Sequence, residues 1–148
     1  MPEEPAWAYK LDELIYQGHR QGMVVSLLAL DYLRRNSEES FTFTTDREFW
    51  KPNSPKPEVE ADFFCVPDGV LTAGEAKKEN SLGKNPSDET QRIKKYRHLV
   101  NRLSVRQLVF ATTSAAWRKE TVAEVNDAFA NMASVQISFL DASHLLKG

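Results

Sequence analysis

Cysteine is almost missing from this chain. The single thiol, Cys65, excludes an intrachain disulfide and fits a reducing compartment. Standing alone, it reads as a small buried hydrophobe. Three scattered histidines (His19, His98 and His144) leave no Cys/His spacing for a structural zinc. The six glycines make no phosphate-cradling loop, and no GxSxG elbow is present. That speaks against a nucleotide-binding domain built on a glycine loop and against a serine hydrolase of the elbow type. No apolar run approaches the roughly 20 residues that span a bilayer. Met1-Pro2-Glu3-Glu4-Pro5 is acidic and proline-containing, unlike a secretory signal. The expectation is a cytoplasmic protein with no membrane segment.

What is present is the material of one domain. The chain has 148 residues, 41% hydrophobic and 27% charged, enough to bury a single core. A net charge of −2 argues mildly against a general polyanion binder, but the charge is unevenly spread. Six cations and no acid lie between positions 92 and 106: Arg92, Lys94, Lys95, Arg97, Arg102 and Arg106. Such a run is either a phosphate-binding patch or a solvated helix face.

Leu11, Leu14, Gly18, Val25, Leu28 and Tyr32 recur at helical spacings and predict a helix over 11–35, interrupted by Gly18 and Gly22. Residues 40–45 alternate polar and apolar and predict a strand, followed by a proline-rich loop over 47–57. Two further strands, 58–66 and 70–77, flank Pro67-Asp68-Gly69, a strong signal for a two-residue type I′ hairpin. A polar, mobile loop is expected over 78–88. Beyond it come a helix over 86–103 with Ser87 or Asp88 as N-cap, a buried strand over 105–112, a helix over 115–132 and a strand over 135–140. The order α-β-β-β-α-β-α-β predicts an α/β fold with a mixed sheet flanked by helices.

The hairpin serves as a ruler. With Asp68 and Gly69 as the loop, Pro67 faces Val70, Asp62 faces Glu75 and Glu60 faces Lys77. Facing residues share a sheet face with Cβ atoms about 4.5–5.5 Å apart. Glu60 opposite Lys77 suits an ordinary salt bridge, but Asp62 opposite Glu75 brings like charges together. A divalent cation relieves that repulsion, and Mg²⁺ is commonly held by one or two carboxylates plus waters and phosphate oxygens. Lys77 projects to the same spot, where it would orient a water or neutralise charge developing on a phosphate.

Asp62, twelve further residues, then Glu75-Ala76-Lys77 on the far arm of a hairpin resembles the signature of the PD-(D/E)xK nuclease superfamily. Glu75-Ala76-Lys77 is the one Asp/Glu-x-Lys tripeptide in the chain. The predicted order over 11–112 is also similar to that superfamily's αβββαβ core, the restriction-endonuclease-like and Holliday-junction-resolvase-like arrangement, with 115–140 as a C-terminal α-β extension and 1–148 as a single domain. The resemblance implies Mg²⁺ (Mn²⁺ substituting) at Asp62, Glu75 and the Ala76 backbone carbonyl, with Lys77 catalytic. Many such nucleases add an acid or a histidine from the first helix. Here Glu13, His19 and Gln21 are the candidates, none in an unmistakable pattern. Relatives also carry a Gln and a Tyr on the helix after the motif, at a spacing one residue shorter than Gln91 to Tyr96 shows. Gln91, Lys94, Lys95 and Lys78 are candidate phosphate contacts. Tyr96 is read as core packing, and Trp50 either stacks on a base or covers the core. The expected activity is phosphodiester hydrolysis, in DNA rather than RNA, with recognition through structure, a homodimer partner or a larger assembly. The rival expectation is a binding or interaction module of the same fold with weak or absent catalysis.

Overall fold

The computed structural model describes residues 22–147. The expected first helix is seen from Met23 to Arg35 (α1), and its earlier half, with Glu13, His19 and Gln21, lies outside the described residues. Gly22 does not interrupt this helix but precedes it as the N-cap, at φ +81°, a backbone state that costs glycine little. Then follow β1 (Phe41–Phe49), β2 (Val59–Pro67), β3 (Thr72–Lys77), α2 (Pro86–Leu103), β4 (Gln107–Thr112), α3 (Lys119–Phe129), β5 (Gln136–Leu140) and a short α4 (Ala142–Leu145) that the periodicity did not announce.

The five strands lie in the order β1-β2-β3-β4-β5, antiparallel across the first three and parallel from β3 to β5. The two parallel steps advance in the same direction, and right-handed crossovers of that kind put their helices on one face. Accordingly α2 and α3 bury Ile93, Tyr96, Leu99, Val125 and Phe129 against Phe64, Ala73, Leu108 and Phe110. The opposite face takes α1, whose Val25, Ala29, Leu30 and Leu33 pack with Phe63, Cys65, Ala76, Val109 and Ala111. Cys65 is 1% exposed, and burial pushes its thiol up to about 12, so it behaves as the small hydrophobe it was read to be.

The helix expected over 115–132 spans only Lys119–Phe129, and two other boundaries differ from expectation for identifiable reasons. β1 runs on through Arg47-Glu48-Phe49, paired with Ala61, Glu60 and Val59, where a loop was expected. As the edge strand β1 needs one partner only, so polar residues can continue it until Pro52. The N-cap of α2 is Asn85, whose side chain accepts from the Asp88 amide, and not Ser87 or Asp88. Pro86 takes the first helical position, where its missing N–H costs nothing.

The hairpin follows the expected register. Asp68 (φ +47°) and Gly69 (φ +82°) are both left-handed, and the Val70 amide donates to the Pro67 carbonyl at 2.9 Å. Cys65 faces Thr72, Phe64 faces Ala73 and Phe63 faces Gly74. The Asp68 carboxylate also accepts from the amides of Glu38, Glu39 and Ser40, which ties the turn to the approach of β1. Gly74 is obligatory for a steric reason: a Cβ there would lie 1.9 Å from Cζ of Phe63, whose ring covers the glycine.

Two outcomes follow. Gly74→Ala forces the Phe63 ring out of place and should lower stability by about 1–3 kcal/mol, read from urea unfolding, with partial recovery in the Gly74→Ala, Phe63→Leu double variant. The amides of Glu38, Ser40 and Glu39 hold the Asp68 carboxyl below its ordinary value. Its contribution is therefore complete above the unfolded value of about 3.9 and is lost as pH falls through the lower folded value. The stability gap between wild type and Asp68→Asn should be constant near neutral pH and close below about pH 4; a gap unchanged at pH 3 refutes this role for Asp68.

Candidate active site

The site begins where the hairpin ladder ends. Paired residues between β2 and β3 stop at Phe63 and Gly74, while β3 stays paired with β4 as far as Lys77 and Thr112. Over Glu75–Lys77, β3 thus loses regular pairing on its β2 edge. Asp62 stands at the fork, its Oδ2 accepting from the Ala76 amide at 2.7 Å in place of a ladder carbonyl. The regular pairing ends one step before Asp62 would face Glu75. Even-numbered Asp62 and Phe64, with odd-numbered Ala73, Glu75 and Lys77, share the face beneath α2.

Glu75 is 4% exposed, yet it is well accompanied. Lys77 Nζ is 2.5 Å from its Oε1, Arg92 Nη1 is 3.5 Å from the same oxygen, and the Tyr96 hydroxyl donates to Oε2. Tyr96 is core, with its ring edge-on to Phe110 at 5.7 Å, but its hydroxyl belongs to the site. Burial pushes the phenol well above its ordinary value, and the charges of Glu75, Asp62 and Glu60 push the same way. Of these three carboxylates, Glu75 bonds to the phenol directly. The ion pair of Lys77 is made to Glu75 on its own strand and not to Glu60 across the hairpin, which was the plain salt-bridge alternative. Protein cations thus already relieve part of the charge on Glu75, so like charges face to face do not by themselves require a metal.

The other anticipated residues separate. Lys95 is exposed on α2 and borders a small opening shared with Glu60, Glu75, Arg92 and Tyr96. Gln91 and Lys94 are exposed on α2, and Lys78 is exposed just past β3. The start of α1 lies beside the Ala76 carbonyl, 3.9 Å from where a Cβ of Gly22 would be. Trp50 is 48% exposed and donates to Glu48, so it does not cover the core. Sequence reasoning missed Tyr96 and Arg92 as partners of Glu75. Tyr96 keeps helical spacing with Ile93 and Leu99 and so reads as core, and only the crossing of α2 over β3 reveals where its hydroxyl points.

The stretch 78–85, expected to be mobile, is pinned at many points. Glu89, 1% exposed, accepts from the Leu82 amide, Thr121 and Arg118. Asp88 accepts from the Lys84 amide, Thr112 donates to the Glu79 carbonyl, and the Arg118 amide donates to the Asn80 carbonyl. A cavity of about 430 Å³ lies inside this stretch, with Lys77 and Arg92 on one side and Ser81, Gly83, Lys84 and Asp88 on the other.

No protein-family model, curated protein or solved structure matches this chain. The chemistry of the site rests on its own residues. Among the described residues no group of three or more His, Cys, Asp or Glu side chains is disposed to hold a metal ion. Asp62 and Glu75 are hard oxygen donors on facing strands, the kind Mg²⁺ accepts in ones and twos alongside water and phosphate. For Glu75 to serve, a cation must take the place of Lys77 or Tyr96.

Tyr96→Phe keeps the packing and leaves a buried carboxylate oxygen without its donor. It should cost about 1–3 kcal/mol in chemical denaturation with an unchanged m-value. Wild-type stability would mean that the hydroxyl contributes nothing to holding Glu75.

Proposed function

We propose that this chain is a divalent-cation-dependent nuclease domain of the PD-(D/E)xK type, acting on DNA. One observation carries the reading: at the fork where β2–β3 pairing ends, Asp62 bonds to the Ala76 amide, next in sequence to Glu75, and Lys77 sits directly on Glu75. The element order, with its antiparallel hairpin followed by a helical crossover, supports it by being compatible with such a core.

In this reading Asp62, Glu75 and the Ala76 carbonyl hold the cation. A bound Mg²⁺ would polarise the phosphoryl group and favour a nucleophilic water at neutral pH. With a cation held there, Lys77 would be placed to orient a water or to meet charge building on the phosphate. Tyr96 fixes the rotamer of Glu75 from below, and Arg92 adds a second positive charge near the same oxygen. Lys95 and Lys94 on the outer face of α2 contact flanking phosphates, which would make binding fall with salt.

The closed state of Glu75, held by Lys77 and Tyr96, favours a second reading in which the domain binds nucleic acid or a partner without cutting. A cleavage panel of supercoiled plasmid and single-stranded oligonucleotides with Mg²⁺ or Mn²⁺ separates the two. The nuclease reading expects Asp62→Ala and Lys77→Ala each to reduce cleavage about 10²-fold or more, with Mg²⁺ binding by calorimetry lost in Asp62→Ala. Cleavage that survives both substitutions rejects this site, and metal or DNA binding without any cleavage favours the second reading.

A further inference from the structure

The cavity of about 430 Å³ beside Lys77 has no role in the reaction as described so far. Its volume falls in the range of small-molecule sites, roughly 300–1,000 Å³. Its lining is mixed in character. Lys84, Ser81 and Arg92 offer donors, and Asp88 and Glu79 offer acceptors. A pocket for phosphate alone would be expected to present cations and amides without carboxylates. The edge of a nucleobase carries donors and acceptors together and is read by such a set.

Two further observations make the cavity a formed site and not a surface irregularity. Its outer wall approaches α2 so closely that a Cβ on Gly83 would lie 2.4 Å from the Glu89 amide nitrogen, and the Leu82 and Lys84 amides are fastened to Glu89 and Asp88. The walls are thus set before any ligand arrives, which lowers the cost of binding. Arg92 Nε is a buried side-chain nitrogen without a hydrogen-bond partner among the described residues, lying 3.4 Å from Asp88 Oδ1. This ion pair with Asp88 fixes Arg92 in the wall, with its Nη1 turned toward Glu75.

We infer that this cavity seats one unpaired nucleotide of the substrate strand, adjacent to the bond that is cut. The inference rests on the nuclease reading and adds the substrate class: single strands, overhangs or frayed ends, in preference to continuous duplex. Lys77 lines the cavity and also touches Glu75, so a nucleotide seated there presents its phosphate to the catalytic face. A base inside a duplex cannot enter without leaving its stack, whereas an already unpaired base enters at little cost.

The test has two arms. In the first, metal-free wild-type protein is titrated with the four deoxynucleoside monophosphates or with inorganic phosphate and followed by ¹H–¹⁵N correlation spectra. The amides of Ser81, Gly83 and Lys84 should shift with at least one nucleotide, and phosphate should bind about tenfold more weakly or worse. Ser81→Phe, which fills the cavity, should abolish the shifts, and Lys84→Ala should weaken them should the first variant not fold. Equal affinity for phosphate and nucleotide, or no shift at these amides, overturns the inference.

In the second arm, cleavage of single-stranded and duplex oligonucleotides is compared with an abasic residue stepped through the sequence. Single strands should be preferred about tenfold or more, and one abasic position beside the cut should reduce cleavage by about tenfold. Cleavage indifferent to both overturns the inference and leaves the nuclease reading standing. If no oligonucleotide is cut with either metal, the nuclease reading fails instead, and the titration still decides whether the cavity takes a nucleotide.

Discussion

Slipping a strand by one residue turns every side chain to the opposite face of a sheet, so the position of a hairpin turn decides which chemistry can assemble. Here that decision is made by Asp68 and Gly69, the two left-handed residues between β2 and β3. Their register puts Phe63 and Cys65 under α1 and turns Asp62 and Glu75 toward α2. The Asp68 carboxylate holds the turn a second way, through three amides at the start of β1. A turn fastened to two strands leaves little freedom for a slip that would bury Asp62 among the aliphatic residues of α1.

The cost of the arrangement is concentrated at Glu75. A carboxylate 4% exposed, on a face that otherwise carries Phe64, Ala73, Leu108 and Phe110, loses most of its hydration. Lys77, Arg92 and Tyr96 replace that water with fixed donors. Even so, a well-packed apolar residue would often be as stable as a buried ion pair. Stability alone is thus a poor reason for this cluster, and a role for the charge is the better one.

Much of this geometry was legible from local chemistry. Asp-Gly between two β-rich runs specified the turn, and counting from it gave the register of Cys65 with Thr72 and Phe63 with Gly74. Pro86 and the cap signal beside it located the start of α2 closely. What stayed hidden depended on distant parts of the chain. The polar stretch 78–85 has the composition of a mobile loop. It is held by Glu89, Thr112 and Arg118, whose side chains and amides arrive from α2, β4 and the start of α3. Arg47 and Glu48 extend β1 because an edge strand tolerates polar residues, a fact known only once the strand order is known. The hydroxyl of Tyr96 meets Glu75 through a helix crossing that no periodicity encodes.

The pinned stretch matters for more than stability. Lys77 is the last residue of β3, and the chain enters the wall of the cavity immediately after it. Were that wall loose, the position of Lys77 relative to Glu75 would drift with it. Glu89 therefore has a consequence at a distance. By anchoring the Leu82 amide it stiffens the cavity, and through the cavity it steadies the end of the strand that carries Glu75 and Lys77. Arg92 joins the two regions from the other side, reaching Glu75 with Nη1 and Asp88 with Nε. The carboxylate cluster and the cavity thus share Lys77 and Arg92, so a charge placed in the cavity would bear on Glu75.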